Sequence, residues 1–224
     1  MKKFFSVLFI LIFSFLAFSS VSYIELTSDY KGDVEGTVSL PYFFMAENYP
    51  TEIYINNLVS NDFLNLLEDV YSGIDQFKED CKENDWPFRP FAVATDYQVG
   101  YNKEDFLSFY VDYYQFTGGA HGMTYRNSYN YNLTDGKKVE LADLFIPEFG
   151  WVQYVTDFIT GEINANKQNY FDDPLPDMKY NQEYYVTDEY LVIYYQLYEI
   201  APYSTGFPEF KIPLKELGKN IILN

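Results

Sequence analysis

The sequence YYQFTGGAHGMTYRNSYNYNLTDGKKVELADLF occupies residues 113–145 and alternates strand-like runs with turns. One run ends in TGGAHG, residues 117–122, and a polar and aromatic run follows before TDGK, residues 134–137, turns the chain again. Asp-Gly between alternating segments is a strong hairpin signal. The glycines of the first turn indicate backbone torsions that side chains forbid, or a close approach by another part of the chain. His121, the only histidine, lies inside that turn.

Working outward, the flanking sequence predicts an α+β fold, mostly antiparallel sheet with two principal helices packed against it. Thr51 is placed to cap a helix of roughly 30 residues that runs to Lys82, and a second helix falls within 143–166. Short turns between consecutive strands imply antiparallel pairing. The predicted strands and the last short helix occupy 23–27, 34–40, 91–101, 106–116, 184–186, 190–198, 209–212 and, for the helix, 214–217.

The N-terminus predicts export. Lys2 and Lys3 precede an apolar run from Phe4 to Phe18, and small residues follow at Ser20 and Ser22. A run of about 15 apolar residues suits a signal peptide better than a bilayer span of about 20. We therefore expect residues 1–22 to be a signal peptide and the protein to be extracytoplasmic. An uncleaved leader, which would anchor the protein in the membrane, is the alternative.

Charge and cysteine content exclude some function classes. The formal net charge of −18 argues against nucleic-acid binding, because phosphate recognition needs clustered Lys and Arg. An acidic surface suits a basic partner, or serves solubility alone. Cys81 is the single cysteine, so the fold must be held by core packing, and its spacing from Phe63 and Val70 places the thiol on the apolar face of a helix.

The residues give little support for catalysis. His121 has the side chain of a general base or a metal ligand, but the sequence supplies no second histidine, no nucleophile elbow and no phosphate loop. A histidine between glycines more often holds the turn by a hydrogen bond to the backbone. The spacing of Asn130, Asn132 and Asp135 does not match a calcium loop. We therefore expect no enzyme activity, no cofactor and no metal.

Several motifs resemble the extracytoplasmic domain of the RsiV family of lysozyme-sensing anti-sigma factors. They are the glycine turn and its following strand, LADLF at 141–145, YEIAPY at 198–203, Gly206, and FKIP at 210–213. Tyr49-Pro50 and the helix behind it resemble the smaller module that precedes this domain in RsiV and in the peptidoglycan deacetylase PdaC. The resemblance implies an N-terminal module at 23–98 and an RsiV-like domain at 99–224, with one shared core as the alternative.

The resemblance does not extend to every activity of these relatives. An anti-sigma factor needs a cytoplasmic domain before its membrane span, and only three residues precede the apolar run here. Sigma-factor control is therefore not expected. The deacetylase uses several histidine ligands and this chain has one histidine, so deacetylation is not expected either.

The remaining interpretation is a non-enzymatic binding domain. Aromatic residues make up 21% of the chain, and most of them suit half-buried strand faces. Residues in loops carry recognition more often than those in strands. The resemblance implies lysozyme, a basic protein, as the candidate partner. Peptidoglycan or another envelope polysaccharide is the alternative ligand, and a hydrolase with an unrecognised site is the least favoured class. The candidate ligand-binding residues are Gly118, Gly119, His121, Tyr125, Tyr198, Pro202 and Tyr203.

Overall fold

The structure of the protein is a computed structural model that describes residues 21–45, 49–103 and 105–223. Of the predicted signal peptide, only residues 21 and 22 fall inside these ranges, so that prediction lies outside the described residues. Within the described ranges, no helix is both long enough and apolar enough to cross a membrane.

Within the described residues, the regular structure consists of eight strands and four α-helices. In chain order they are β1 (Ser22–Tyr30), β2 (Val34–Phe44), α1 (Tyr49–Ser72), α2 (Ile74–Glu83), β3 (Phe91–Lys103), β4 (Phe106–Phe116), β5 (Met123–Asn132), α3 (Trp151–Ala165), β6 (Tyr184–Val186), β7 (Tyr190–Tyr194), β8 (Glu209–Pro213) and α4 (Leu214–Leu217). Short 3₁₀ turns occupy Leu141–Leu144, Lys167–Asn169, Tyr203–Thr205 and Gly218–Asn220.

The strands form two sheets, and the α+β prediction is confirmed. The larger sheet has the order β1-β2-β3-β4-β5, in which β1 and β2 are antiparallel from Ser22↔Phe44 to Tyr30↔Gly36. Strands β2 and β3 are parallel, with Val34 opposite Phe91. Parallel strands need a crossover, and α1 and α2 supply it between these two. The smaller sheet, β6-β7-β8, is antiparallel throughout.

The two-helix prediction needs a correction in its first half. The helix expected from Thr51 to Lys82 is two helices, α1 and α2, that meet at Gly73. Glycine is among the weakest helix formers, and the prediction of one continuous helix did not take account of Gly73. The helix also begins at Tyr49, so Thr51 lies in its first turn and is not the cap.

The apolar face predicted for this segment is present. Phe63, Leu66, Val70 and Ile74 are buried along it, and Cys81 is a buried free thiol as predicted. Burial on one side of a helical segment is what a spacing of three and four residues produces. The predicted apolar face continues past Gly73, because α2 follows the same pattern of buried positions.

The chain divides into two compact units. The N-terminal unit contains residues up to Gln98 together with Val111–Asn127, and the C-terminal unit contains Val99–Tyr110 and Ser128–Asn224. The glycine turn of 117–122 thus belongs to the N-terminal unit. The boundary expected between 98 and 99 as the limit of two domains stays a prediction.

The core of the C-terminal unit is continuous and apolar. It includes Leu141, Val155, Ile159, Ile193 and Phe210, all less than 2% exposed. A polar contact chain also lies in this unit. Ser108 Oγ donates to Asn130 Oδ1 at 2.6 Å and accepts from the Val186 amide at 2.7 Å, while Asn130 Nδ2 donates to the Tyr184 carbonyl at 2.8 Å. These contacts satisfy buried polar groups, as a stable interior requires.

Candidate functional site

The structure separates the predicted site residues into two groups. Gly118, Gly119, His121 and Tyr125 belong to the N-terminal unit, whereas Tyr198, Pro202 and Tyr203 belong to the C-terminal unit.

The glycine turn is shaped by close approach to aromatic rings. Gly118 has φ +90°, and a Cβ there would lie 2.4 Å from the Phe77 ring. At Gly122 a Cβ would lie 2.3 Å from the ring of Tyr114. Neither position tolerates a side chain without displacement, because carbon atoms in contact stand about 3.5–4.0 Å apart. At Gly119 the nearest atom to such a Cβ is the His121 carbonyl oxygen, 3.9 Å away.

His121 contacts the backbone of its own turn. Its Nδ1 lies 2.8 Å from the Gly122 carbonyl oxygen, and a carbonyl accepts only, so Nδ1 carries the proton. The residue is exposed. This is the contact that a turn-holding histidine makes.

Tyr125 is half-buried and packs on a core residue. Its ring stacks on that of Tyr113 at a centroid distance of 5.2 Å, and Tyr113 is fully buried. Burial raises the pKa of Tyr125 to about 12, with Asp62 and Asp69 adding to the shift. Its ring therefore serves packing first.

Tyr198 lies in a turn whose geometry favours glycine. The Glu199 amide donates to the Gln196 carbonyl at 3.1 Å, which closes a four-residue turn with Tyr198 in its third position. There Tyr198 has φ +66°, and a positive φ in the third position is usually met by Gly or Asn. Positive φ is uncommon for a bulky non-glycine residue and costs about 1–2 kcal/mol. Such outliers are often found at functional sites.

The strained tyrosine is exposed and paired. Its side chain is 46% exposed, and its ring lies 5.7 Å from that of Tyr203 with an interplanar angle of 34°. We call Tyr198 and Tyr203 the tyrosine pair. Pro202 lies exposed between them in sequence and precedes the 3₁₀ turn Tyr203–Thr205. The three predicted residues of this unit therefore do lie in one segment, with the two rings in contact.

Backbone contacts tie this segment to a second loop. The Phe171 amide donates to the Ile200 carbonyl at 3.0 Å, and Thr205 Oγ1 donates to the Asn169 carbonyl at 3.0 Å. One hydrogen bond lies between the two tyrosines in sequence and the other follows Tyr203, so together they hold the segment 200–205 against 169–171. The exposed ring of Tyr198 and the half-buried ring of Tyr203 therefore belong to an anchored segment.

A groove lies between these loops and the end of α3. Its cavity has a volume of about 200 Å³ and is open to solvent, and we call it the C-terminal groove. It is lined by Thr160, Ile163, Tyr170, Phe171, Asp173, Pro174, Leu175, Pro176, Glu199 and Ile200. The lining is mostly apolar and aromatic with two carboxylates, and Glu199 directly follows Tyr198.

Gln196 links two carboxylates, and one of them, Glu199, lines the groove. The Gln196 backbone amide donates to Glu199 Oε2 at 2.9 Å, and its side-chain Nε2 lies 2.9 Å from each Glu183 carboxylate oxygen. Burial raises the pKa of Glu183, and nearby Glu199 raises it further, although the Gln196 hydrogen bond opposes the shift. Burial and then Glu162 raise the pKa of Tyr170.

Tyr195 is a buried tyrosine close to the same carboxylate. It is fully buried and, in the part of the chain that the structure describes, its hydroxyl has no hydrogen-bond partner. Burial raises its pKa to about 12, with Glu199 as the second cause.

The described ranges contain no group of three or more His, Cys, Asp or Glu residues arranged to hold a metal ion. The calcium-loop spacing rejected from the sequence has a structural role instead. Asn132 Oδ1 accepts hydrogen bonds from the Thr134 and Asp135 amides, at 2.8 Å and 3.2 Å, and so holds the Asp-Gly turn.

Sequence reasoning missed most of the groove. It treated residues 171–177 as a solvated loop with acidic residues, and Asp172, Asp173 and Asp177 are indeed exposed. The apolar residues of the loop carry the signal that was available, because Phe171, Pro174 and Leu175 are interspersed with these acids. Such a mixture is typical of a binding surface more than of a purely solvated loop.

Two family models match the chain, one in each half. Residues 30–124 match the family described as "Deacetylase PdaC", and residues 142–215 match the family described as "Protein of unknown function (DUF3298)". The expected succession of a PdaC-type module and a domain of unknown function is thereby confirmed.

Curated relatives are distant. The peptidoglycan-N-acetylmuramic acid deacetylase PdaC of Bacillus subtilis is 22% identical over 188 residues, which cover 80% of this chain and 39% of the deacetylase. An esterase of Mycobacterium tuberculosis is 22% identical over 177 residues, covering 77% of this chain and 76% of the esterase.

Solved structures support the fold. A DUF3298-family member from Bacteroides fragilis superposes with a TM-score of 0.70 at 16% identity, covering 92% of this chain and 95% of the other. A member from Pseudomonas aeruginosa gives a TM-score of 0.58 at 19% identity, with 91% and 94% covered. At these identities the likeness concerns the fold alone.

Proposed function

We propose that this chain, which carries a PdaC-type module followed by a DUF3298 module, is an extracytoplasmic binding protein. It has no enzyme activity and engages a basic protein of the cell envelope. Lysozyme is the candidate partner, by resemblance to the RsiV family. The tyrosine pair of the C-terminal unit and the groove beside it form the proposed contact surface.

The observation that carries this proposal is the conformation of Tyr198. An exposed tyrosine held at φ +66° loses stability in the free protein. Tyrosine is enriched at interaction hot spots because it offers a large contact area at low entropy cost. An exposed ring in strained geometry on an anchored loop fits a contact residue better than a core residue.

The charge of the chain supports a basic partner. The formal net charge is −18, and Asp173 and Glu199 line the C-terminal groove. Complementary charge steers a basic protein toward an acidic surface and raises the association rate more than the final affinity. Binding of this kind weakens with ionic strength.

A polysaccharide of the envelope is the second candidate. One relative is named for its action on peptidoglycan, and Tyr198 is exposed, so its ring is available to stack on a sugar. An esterase among the relatives keeps hydrolysis as a third class. Stacking on a neutral sugar responds little to salt, so ionic strength separates the first two candidates.

The test is a binding titration of the protein with lysozyme and, separately, with purified peptidoglycan. The informative variant is Tyr198→Ala. Tyr71→Ala is the matched control, because Tyr71 is also a tyrosine that is 46% exposed. We expect Tyr198→Ala to weaken lysozyme binding about tenfold or more, the loss of a hot-spot side chain, and Tyr71→Ala to leave it unchanged. No binding of lysozyme, or equal loss in both variants, would contradict the proposal.

A further inference from the structure

We propose that the C-terminal groove binds one arginine side chain of the protein partner. This deepens the proposed function and rests on it, because an arginine belongs to a basic protein. The groove would then supply specificity, while the tyrosine pair supplies contact area.

The size and lining of the groove fit a single long side chain. Its volume of about 200 Å³ lies below the roughly 300–1,000 Å³ of pockets that take drug-sized ligands. Ile163, Leu175 and Ile200 offer an apolar wall for a methylene stem. Long cationic side chains bury such stems while their charged heads reach polar groups.

The charges of the groove fit a cationic head. Asp173 and Glu199 line it, and no lysine or arginine is among the described residues that do. Glu162 lies near the hydroxyl of Tyr170, another lining residue, since it contributes to the raised pKa of that tyrosine. A third carboxylate thus adds to the field at this end of the unit.

The aromatic lining favours arginine over lysine. Tyr170 and Phe171 are among the lining residues, and a guanidinium stacks on aromatic faces. It also pairs with a carboxylate through two parallel hydrogen bonds and is more weakly hydrated than an ammonium. A groove lined by both aromatic residues and carboxylates therefore favours the guanidinium over the ammonium.

The test uses three small probes with the full protein: N-acetyl-arginine methylamide, its lysine counterpart and the uncharged norleucine counterpart. Binding is followed by amide shifts of Thr160, Ile163 and Ile200 in nuclear magnetic resonance spectra. We expect the arginine probe to bind most tightly and the norleucine probe least. Asp173→Asn and Glu199→Gln should each weaken arginine binding about fivefold, the loss of one partly exposed ion pair.

Asp172→Asn is the control, because it removes the same charge from the neighbouring residue, which does not line the groove. Equal binding of the arginine and norleucine probes, or equal loss in Asp172→Asn and Asp173→Asn, would overturn the inference. Should Glu199→Gln fail to fold, the Asp173 and Asp172 pair still decides it, because both lie on an exposed loop.

Lysozyme binding measured on the same variants separates the two proposals. If lysozyme binds and neither Asp173→Asn nor excess arginine probe weakens it, the inference fails and the proposed function stands. If the arginine probe binds in the groove and lysozyme does not bind at all, the proposed function fails while the groove remains an arginine site.

Discussion

At the scale of single residues, Tyr198 is the proposed contact residue whose backbone conformation lowers the stability of the fold. Its backbone takes a conformation that glycine adopts without penalty, yet its ring is exposed and contacts Tyr203. Backbone strain of this kind clusters at sites that bind ligands or partners, which is why we propose Tyr198 as a contact residue.

Two substitutions at this position separate backbone strain from ring loss. Both Tyr198→Gly and Tyr198→Ala remove the ring, but only glycine relieves the positive φ. We expect Tyr198→Gly to be about 1 kcal/mol more stable to unfolding than Tyr198→Ala, while both weaken partner binding equally. Chemical denaturation of the two variants measures the difference. Equal stabilities would show that the turn relaxes when the ring is removed.

Glu183 makes stability depend on pH. Burial raises its pKa above the usual 4.5, so the folded state binds this proton more tightly than the unfolded chain does. Its contribution to stability is therefore lost as pH rises from about 4.5 through the raised pKa. Glu183→Gln should raise the melting temperature near pH 7 and have little effect below pH 4.5.

The control for that comparison is Glu148→Gln, which removes the same charge from an exposed position. An increase in melting temperature at pH 7 that is the same in both variants would indicate relief of general charge repulsion and not of the buried carboxylate. A decrease in Glu183→Gln alone would show that its hydrogen bonds to Gln196 outweigh its burial.

Some site residues could be predicted from the sequence and others could not. Tyr198, Pro202 and Tyr203 form one short segment, so their neighbourhood follows from their order. The positive φ of Tyr198 does not, because tyrosine has no local preference for it. Asp173 and Glu199 meet in one groove only through the tertiary fold, and 26 residues of sequence separate them.

At the scale of elements, the glycine turn shows why its sequence is specific. Gly118 lies against the Phe77 ring, with both a positive φ and a close approach. Gly118→Ala should lower the free energy of unfolding by about 2–4 kcal/mol, from backbone strain and overpacking together. Thermal or chemical unfolding measures this.

Substitutions at two other glycines separate the contribution of backbone strain from that of overpacking. Gly32 has φ +120° with nothing within 4 Å of a Cβ, so Gly32→Ala should show the backbone term alone, about 1–2 kcal/mol. Gly119→Ala, whose nearest contact is 3.9 Å away, should be tolerated best. If Gly118→Ala cost no more than Gly32→Ala, the Phe77 ring would have to move freely.

Local patterns predicted the elements well, and long-range pairing poorly. The hairpin of β6 and β7 and the strand at 209–213 follow from alternation and turn residues. The parallel pairing of β2 with β3 does not, since two helices separate the strands in sequence and no local signal fixes their register. The predicted strand to Tyr198 ends at Tyr194 because residues 196–199 form the turn that holds Tyr198.

At the scale of the whole molecule, the net charge and the aromatic content both fit the proposed binding function. A formal net charge of −18 is the physical basis for the proposed basic partner, because an acidic surface steers basic proteins over about a Debye length, roughly 8 Å at physiological ionic strength. Most tyrosines are used for packing, as Tyr125 on Tyr113 illustrates. Tyr198, which is exposed on an anchored segment, is the tyrosine that we propose for recognition.

The most direct test of the central claim is the dissociation constant of the protein for lysozyme, measured by calorimetry at 50 mM and at 300 mM salt. We predict saturable binding that weakens by about tenfold or more at the higher salt, since screened charges steer and stabilise the complex. Binding should also weaken in Tyr198→Ala. Absence of binding at 50 mM salt, or binding that is unchanged by salt and by Tyr198→Ala, would contradict the account.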